Sequence, residues 1–524
     1  MINVLLHRLL FFSFLILTTV HTSRAEDHLK KPNILLFVMD DLRPELGCYG
    51  KNYIKSPNID SIASNGIVFD RAYCQEAVCS PSRSSFLTGT RPDTTKVWDL
   101  KTHFRKALPD VVTLLQNFKN NGYFVQGMGK VFHGGFNDPG SWSVPWVNPK
   151  APVYALPENL ELNAHKPAGE PDGDGESKKA IPGEKEPYAA GEIAPNRLRT
   201  RGPAFEGADV PDNTFTDGKV CDLAIKALQS IAGKKEPFFL AVGFVKPHLP
   251  FVAPKKYWDL YDPKDIALAP NPFRAKGSPE YAVLEGDELR MYHGIPSGHL
   301  PDDLARDLRH GYFAGVSYSD AQIGKVLAEL KKLGLDKDTI VLLWGDNGWK
   351  LGEHDAWAKH SNVENDANIP LIASVPGMKT AGSHTDALVE LVDIYPTLSE
   401  LAGLPLPSHL EGTSFKPLLE NPKLPWKTAA FSQYPRSHEA THGPDLMGYS
   451  MRTDRYRFTV WVHEDDHTKI DAIELFDHKI DPQENTNVAK DPANAEVVKN
   501  LMAQWQKGWQ GNKPPTTSTS TPAS

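Results

Sequence analysis

Two stretches do most to limit what this chain can fold into. NILLFVM at 33–39 ends on Asp40-Asp41, and TIVLLW at 339–344 ends on Gly345-Asp346-Asn347. A third, PFFLAVGF at 237–244, runs on towards Lys246-Pro247-His248. None alternates polar with apolar residues, so each fits a strand covered on both faces, as in a parallel sheet between helix layers. Helical spacing lies between the runs. Val112, Leu115 and Phe118 recur at intervals of three within 109–120, with Gly122 as the expected stop. Ile323, Val326, Leu327, Leu330 and Leu333 form a stripe ahead of the 339 strand. This order predicts an α/β fold with a mixed, mostly parallel sheet sandwiched by helices.

The other features divide the chain. Residues 9–20 are an apolar run too short to span a bilayer comfortably, and Ser23-Arg24-Ala25 follows, so 1–25 reads as a signal peptide. Residues 26–403 read as the α/β catalytic domain, with a Pro-, Gly-, Glu- and Lys-rich surface excursion at 149–216. Strand-like pieces such as YRFTVWV at 456–462 predict a smaller α+β subdomain over 404–510, and 511–524 reads as a disordered tail. No later run has the roughly 18 apolar residues of a span, so no membrane association is expected after signal cleavage. A net charge of −8 argues against nucleic acid as partner. Four cysteines in 524 residues exclude a disulfide scaffold. The chain has no Asn-x-Ser/Thr sequon, which favours a bacterial periplasmic or secreted protein over a lysosomal one.

Ligands in open α/β sheets gather beyond the carboxyl ends of the strands. Asp40, Asp41, Asp346 and Asn347 stand at two such ends. Brought together, the acids would repel one another unless a hard divalent cation such as Ca²⁺ or Mg²⁺ joined them. Separate helix caps or turns are the alternative use of the same residues.

Between those ends lies Cys79-Ser-Pro81-Ser-Arg83, followed by Leu87-Thr-Gly89. This string resembles the signature of the formylglycine-dependent sulfatases, whose sheet is alkaline-phosphatase-like. A second string, Gly122-Tyr123 through Gly129-Lys130-Val-Phe-His133, is similar to that family's other signature, with Val125 where a hydroxyl residue is usual and His133 one place further from Lys130. The Lys-Val-Phe-His form looks like the iduronate-2-sulfatase branch. So do DDLRPELGCYG at 40–50, KPHLPF at 246–251, LGEHDAWAK at 351–359 and MGYSMR at 447–452; Asn347 departs from that branch.

The resemblance implies a sulfate-ester hydrolase with one Ca²⁺ or Mg²⁺ and a formylglycine derived from Cys79 by a maturation enzyme. It implies Asp40, Asp41, Asp346, Asn347 and residue 79 as metal ligands. Arg83 would hold the cluster in register, Lys130 and Lys359 would bind sulfate, His248 would protonate the departing alcohol, and His133 would assist sulfate release. The expected substrate is a sulfated carbohydrate, a 2-O-sulfated uronic acid of a glycosaminoglycan or similar polysaccharide. Another sulfated glycan, such as an algal one, a phosphate or phosphonate ester, and a silent glycan binder are the alternatives. Trp349, Lys246 and Arg452 are candidate sugar contacts, with a core tryptophan and a solvated strand face as the plain readings. His354 is either a support for the site or structural, and Arg455 and Arg457 read as a solvated strand face. With residue 79 converted, Cys48, Cys74 and Cys221 leave an odd thiol, and no pairing among them follows from the sequence.

Overall fold

Strand β1 (Asn33–Asp40) is buried along its whole length. Its side chains alternate between two cores, as a period of two requires. Leu35, Phe37 and Met39 join one core, which also takes in Val220, Ala224 and Leu228 of helix α3. Ile34, Leu36 and Val38 join the other, with Phe86 and Leu87 of helix α1 and Leu115 and Phe118 of helix α2. These helices are α1 (Cys79–Thr88), α2 (Leu114–Asn120) and α3 (Thr216–Ile231).

The structure is a computed structural model that describes residues 31–164, 201–285 and 287–515. The predicted signal peptide, the middle of the 149–216 excursion and the last residues of the predicted tail lie outside the described residues. From Pro32 onward the described chain forms one compact unit.

The other strands of the main sheet are β2 (Ile67–Tyr73), β3 (Phe124–Gly129), β4 (Phe238–Pro247), β5 (Thr339–Gly345), β6 (Asn368–Ser374) and β7 (Ser383–Thr385). Their order is β7-β2-β6-β5-β1-β4-β3, and Val389–Glu390 adds an eighth strand beside β2. β1 pairs in parallel with both β5 and β4, and β4 with β3, whereas β6 is antiparallel to both its neighbours. This is the mixed, mostly parallel sheet the apolar runs predict.

The stripe at 323–333 forms the last third of a long helix, α4 (Asp302–Lys332), with Ile323 and Val326 fully buried. The 109–120 segment becomes helical only at Leu114, because the Thr113 side chain accepts the Gln116 N–H at 3.1 Å and fixes the start there.

Towards the carboxyl end, β8 (Ala429–Arg436), β9 (Leu446–Thr453), β10 (Tyr456–His463) and β11 (Ile470–Asp477) form a four-stranded antiparallel sheet in that order. Its apolar face, including Met451, Phe458 and Leu475, packs with Leu501 of the helix Ala495–Trp505. β8 lies against the segment that leads to Cys79: the Gln433 N–H donates to Gln75 O at 2.8 Å. All four cysteines are free thiols. Among the described residues no helix is long and apolar enough to cross a membrane.

Candidate active site

Four adjacent strands, β5, β1, β4 and β3, all parallel, end on one edge of the sheet. Asp40 closes β1, and Asp41 follows it in the left-handed region (φ 57°). Gly345 closes β5, because a Cβ there would come 2.4 Å from Leu42 O; Asp346 and Asn347 come next. The Asp41 N–H donates to Asp346 Oδ1 at 3.0 Å, which joins the two strand ends directly. At the end of β3, Gly129 (φ 68°) crosses Gly243 so closely that a Cβ would lie 2.0 Å from the Gly243 carbonyl oxygen. Lys130 is thereby turned inward, its N–H bonded to Gly243 O at 3.0 Å.

Cys79 opens α1, all of whose residues are buried. Its Sγ lies 3.4 Å from Asp40 Oδ1, 4.0 Å from Asp41 Oδ1 and 3.9 Å from both Lys130 Nζ and Asn347 Nδ2. One turn on, Arg83 reaches Asp40 Oδ1 at 2.9 Å and Asp346 Oδ2 at 2.8 Å, and donates to Val131 O at 3.1 Å. Lys130 Nζ is paired with Asp40 Oδ2. Lys359 Nζ lies 2.8 Å from Asp41 Oδ2. His248 Nε2 lies 3.7 Å from the same oxygen, while its Nδ1 is 2.6 Å from Leu249 O. The structure thus brings Asp40, Asp41, Cys79, Arg83, Lys130, His248, Asp346, Asn347 and Lys359 into one cluster. His133 flanks it, with its ring on Phe136 (5.9 Å between centroids) and its Nδ1 buried without a hydrogen-bond partner among the described residues.

Burial by itself would raise Asp40, but Lys130, His248, Arg83 and Lys359 together hold it well below its ordinary value. Asp346 goes the other way: burial, only partly offset by Arg83 and reinforced by Asp40 and Asp41, pushes it up to about 7. Burial and then Asp40 raise the Cys79 thiol. Burial and then Lys130 hold the His133 imidazole well below its usual range.

The donor set fits a hard divalent cation. Oxygens of Asp40, Asp41 and Asp346 and the Cys79 sulfur all lie within 4.8 Å of one another. Asn347 Oδ1 is buried with no hydrogen-bond partner among the described residues, an orphaned acceptor beside those acids.

The three sugar-contact candidates lie differently. Trp349 is 1% exposed and belongs to the core; its ring meets the cluster by lying beneath Lys359 Nζ, 5.0 Å from the centroid. It is therefore a packing residue and not a pocket wall. Lys246 Nζ donates to His248 O at 2.9 Å and Pro250 O at 2.6 Å, so it fastens the turn that carries His248. Arg452 is not brought to the cluster: it is buried against Glu364 Oε2 (3.1 Å) and His478 Nδ1 (2.8 Å). Arg457 is buried, unlike the solvated residue the strand pattern suggests, whereas Arg455 is exposed as that pattern has it and pairs with Asp477 at 2.6 Å. Both ring nitrogens of His354 are buried without hydrogen-bond partners among the described residues.

The sequence motifs missed Glu288. It sits in the one-turn helix Asp287–Arg290, within an aperiodic stretch where a single acid reads as a surface residue. Its carboxylate reaches His248 Nε2 at 2.9 Å and Lys359 Nζ at 3.1 Å.

An α/β sheet with acids, a cysteine and paired cations at one edge defines a hydrolase of anionic esters. The chain belongs to the sulfatase family, whose profile matches residues 32–404, and it is a sulfuric ester hydrolase. A second profile, N-sulphoglucosamine sulphohydrolase C-terminal, matches 352–510. Iduronate 2-sulfatase of Mus musculus is 36% identical over 541 residues, covering 90% of this chain and 93% of that protein. Two solved structures share the fold. One is a protein in complex with its substrate D-glucosamine-2-N,6-O-disulfate (TM-score 0.68, 24% identity, 93% of this chain and 99% of that one). The other is a phosphonate monoester hydrolase from Silicibacter pomeroyi (TM-score 0.70, 23% identity, 93% and 97%). Sulfatases generally work with a metal ion and formylglycine.

Proposed function

We propose that this chain removes sulfate from a 2-O-sulfated uronic acid of a glycosaminoglycan or similar polysaccharide. The observation that carries the reading is the convergence of three carboxylates and three cationic side chains on Cys79 Sγ. The similarity to iduronate 2-sulfatase supports the choice of sugar.

Asp40, Asp41, Asp346 and Asn347 Oδ1 are the groups that would hold one Ca²⁺ or Mg²⁺, which supplies Lewis acidity to oxygens at sulfur, with formylglycine at position 79 supplying the attacking oxygen. Lys130 and Lys359 bind sulfate oxygens as point charges, and such preorganised charge is commonly the largest catalytic term. Arg83 keeps Asp40 and Asp346 in register by bonding to both. His248 gives a proton to the departing sugar oxygen, a step worth about 10²–10⁴-fold. His133, whose Nδ1 is buried with no hydrogen-bond partner among the described residues, accepts a proton as sulfate leaves. The local charges agree with an anionic substrate. Asp40, Asp41, Asp346 and Glu288 outnumber Arg83, Lys130 and Lys359 by one, and a divalent cation would turn that deficit into a net positive charge.

The domain reading accompanies this function: a signal peptide at 1–25 for export to the periplasm or beyond, a catalytic domain at 26–403, and a smaller subdomain at 404–510. Defined sulfated mono- and oligosaccharides, assayed for released sulfate, test the proposal. Release from 2-O-sulfated uronates above all others is expected; preference for a neutral sulfated sugar would move the substrate to another glycan. A phosphonate monoester is the second substrate to assay, because a hydrolase of that kind shares the fold. A peptide around Cys79 about 18 Da lighter than the unmodified one is expected when the chain is made alongside a formylglycine-generating activity.

A further inference from the structure

Glu288 competes with the substrate for its own partners. One carboxylate spans an imidazole and an ammonium group, with Oε1 at 2.9 Å from His248 Nε2 and Oε2 at 3.1 Å from Lys359 Nζ. The His248 ring has nothing else to offer. Its Nδ1 lies 2.6 Å from Leu249 O, which can only accept, so that N–H is committed and Nε2 is the remaining polar atom. If His248 is to protonate a departing ester oxygen, Nε2 must face that oxygen and not Glu288. Lys359 Nζ already has Asp41 Oδ2 at 2.8 Å, and Glu288 takes a further donor position. Glu288 also lies on the open side of the group. Its side chain is 13% exposed, against 7% for His248, 3% for Lys359 and 1% for Asp41, so it is the most solvent-exposed of the four. A carboxylate and a sulfate both present two oxygens bridged by one atom, which is why one can stand in for the other.

Resting on the reading of this cluster as a sulfate-ester site, we propose that Glu288 is an internal competitor that occupies the sulfate position from within the chain and lowers the affinity of the site for anions. An incoming ester displaces the carboxylate from His248 and Lys359, the side chain swings aside, and anions too weakly held to displace it are excluded.

The test is calorimetric titration of inorganic sulfate into the full-length protein in calcium-containing buffer, comparing wild type, Glu288→Gln and Glu288→Asp. Glu288→Gln removes the charge and one acceptor. Glu288→Asp keeps the charge but is one methylene too short to span both partners. Both variants are expected to bind sulfate about tenfold or more tightly than wild type. Tightening in Glu288→Gln alone would reduce Glu288 to a background charge and overturn the proposal. So would unchanged or weaker binding in both. Absence of sulfate binding in all three proteins would overturn the sulfate-site reading together with it. Because the readout is binding, it decides the role of Glu288 whether or not the preparation turns over.

Discussion

The cluster at the strand tips and the one that ties the carboxyl-terminal sheet to the rest of the molecule are both buried and rich in carboxylate, yet they follow opposite rules. In the second, Glu364 Oε2 takes Arg452 Nε at 3.1 Å and also pairs with Arg457, while Glu484 Oε1 takes Arg457 Nε at 2.6 Å and His478 Nε2 at 2.8 Å. Tyr73 donates to Glu364 Oε1 at 2.8 Å, and the Glu364 N–H donates to Glu484 Oε2 at 2.8 Å. Two acids thus meet two guanidiniums. Burial would raise both carboxyls, but the arginines prevail, holding Glu364 far down and Glu484 at about 2. At the strand tips the acids outnumber the fixed cations, Asp346 rises to about 7 and Asn347 Oδ1 goes unbonded. A balanced buried cluster is a joint; an unbalanced one is a site that expects a further charge.

The sharpest way to break this distinction is Cys79→Ala, which touches only the unbalanced cluster. Sulfate release should fall by about 10³-fold or more, with thermal unfolding nearly unchanged; retained turnover would remove Cys79 from its role. Arg457→Met is the converse. It leaves Glu364 and Glu484 short of a cation, so unfolding in denaturant should show a loss of about 3–5 kcal/mol, while kcat/KM of the folded fraction stays within about threefold. Arg452→Ala should behave in the same way, lowering stability and leaving the ratio of activities on sulfated uronates and neutral sulfated sugars unchanged. A change in that ratio would return Arg452 to substrate recognition.

Metal removal is the next largest effect. A chelator should stop sulfate release, lower the unfolding midpoint and reduce the unfolding free energy by about 2.7 kcal/mol relative to protein held at a cation concentration 100-fold above Kd. No change in the midpoint would mean that the acids at the strand tips are neutralised some other way.

The smallest effect is a difference in pH response. Asp346 is raised in the metal-free protein, so the native state binds more protons between its unfolded value near 3.8 and about 7. Its contribution is present at low pH and lost as pH rises through that window, at a limiting slope of about 1.4 kcal/mol per unit. Glu484 is lowered from 4.5 to about 2, so its contribution is present above 4.5 and lost as pH falls towards 2. Chelated protein should therefore become more stable from pH 8 to pH 6, and cation-loaded protein should not. Parallel curves for the two preparations would count against a cation bound by Asp346.

The sheet was legible because its central strands are covered on both faces, which forces unbroken apolar runs such as 33–39 and 339–344 into the sequence. Most of the cluster was legible because strand tips and the Cys79–Arg83 turn carry short, chemically restricted strings. Glu288 was not, since its partners lie 40 and 71 positions away and nothing periodic surrounds it. Arg452 was misread for a related reason. A strand pattern shows which side a residue faces but not that Glu364, 88 positions earlier, waits there.

The depth of position 79 also carries a consequence for timing. With 2% of its surface open and every residue of its helix buried, the thiol offers no purchase to a protein-sized catalyst once the sheet has closed. If position 79 is converted as proposed, the converting chemistry has to reach it while the polypeptide is still extended, and the packing of the finished molecule would then dictate the order of events in biosynthesis.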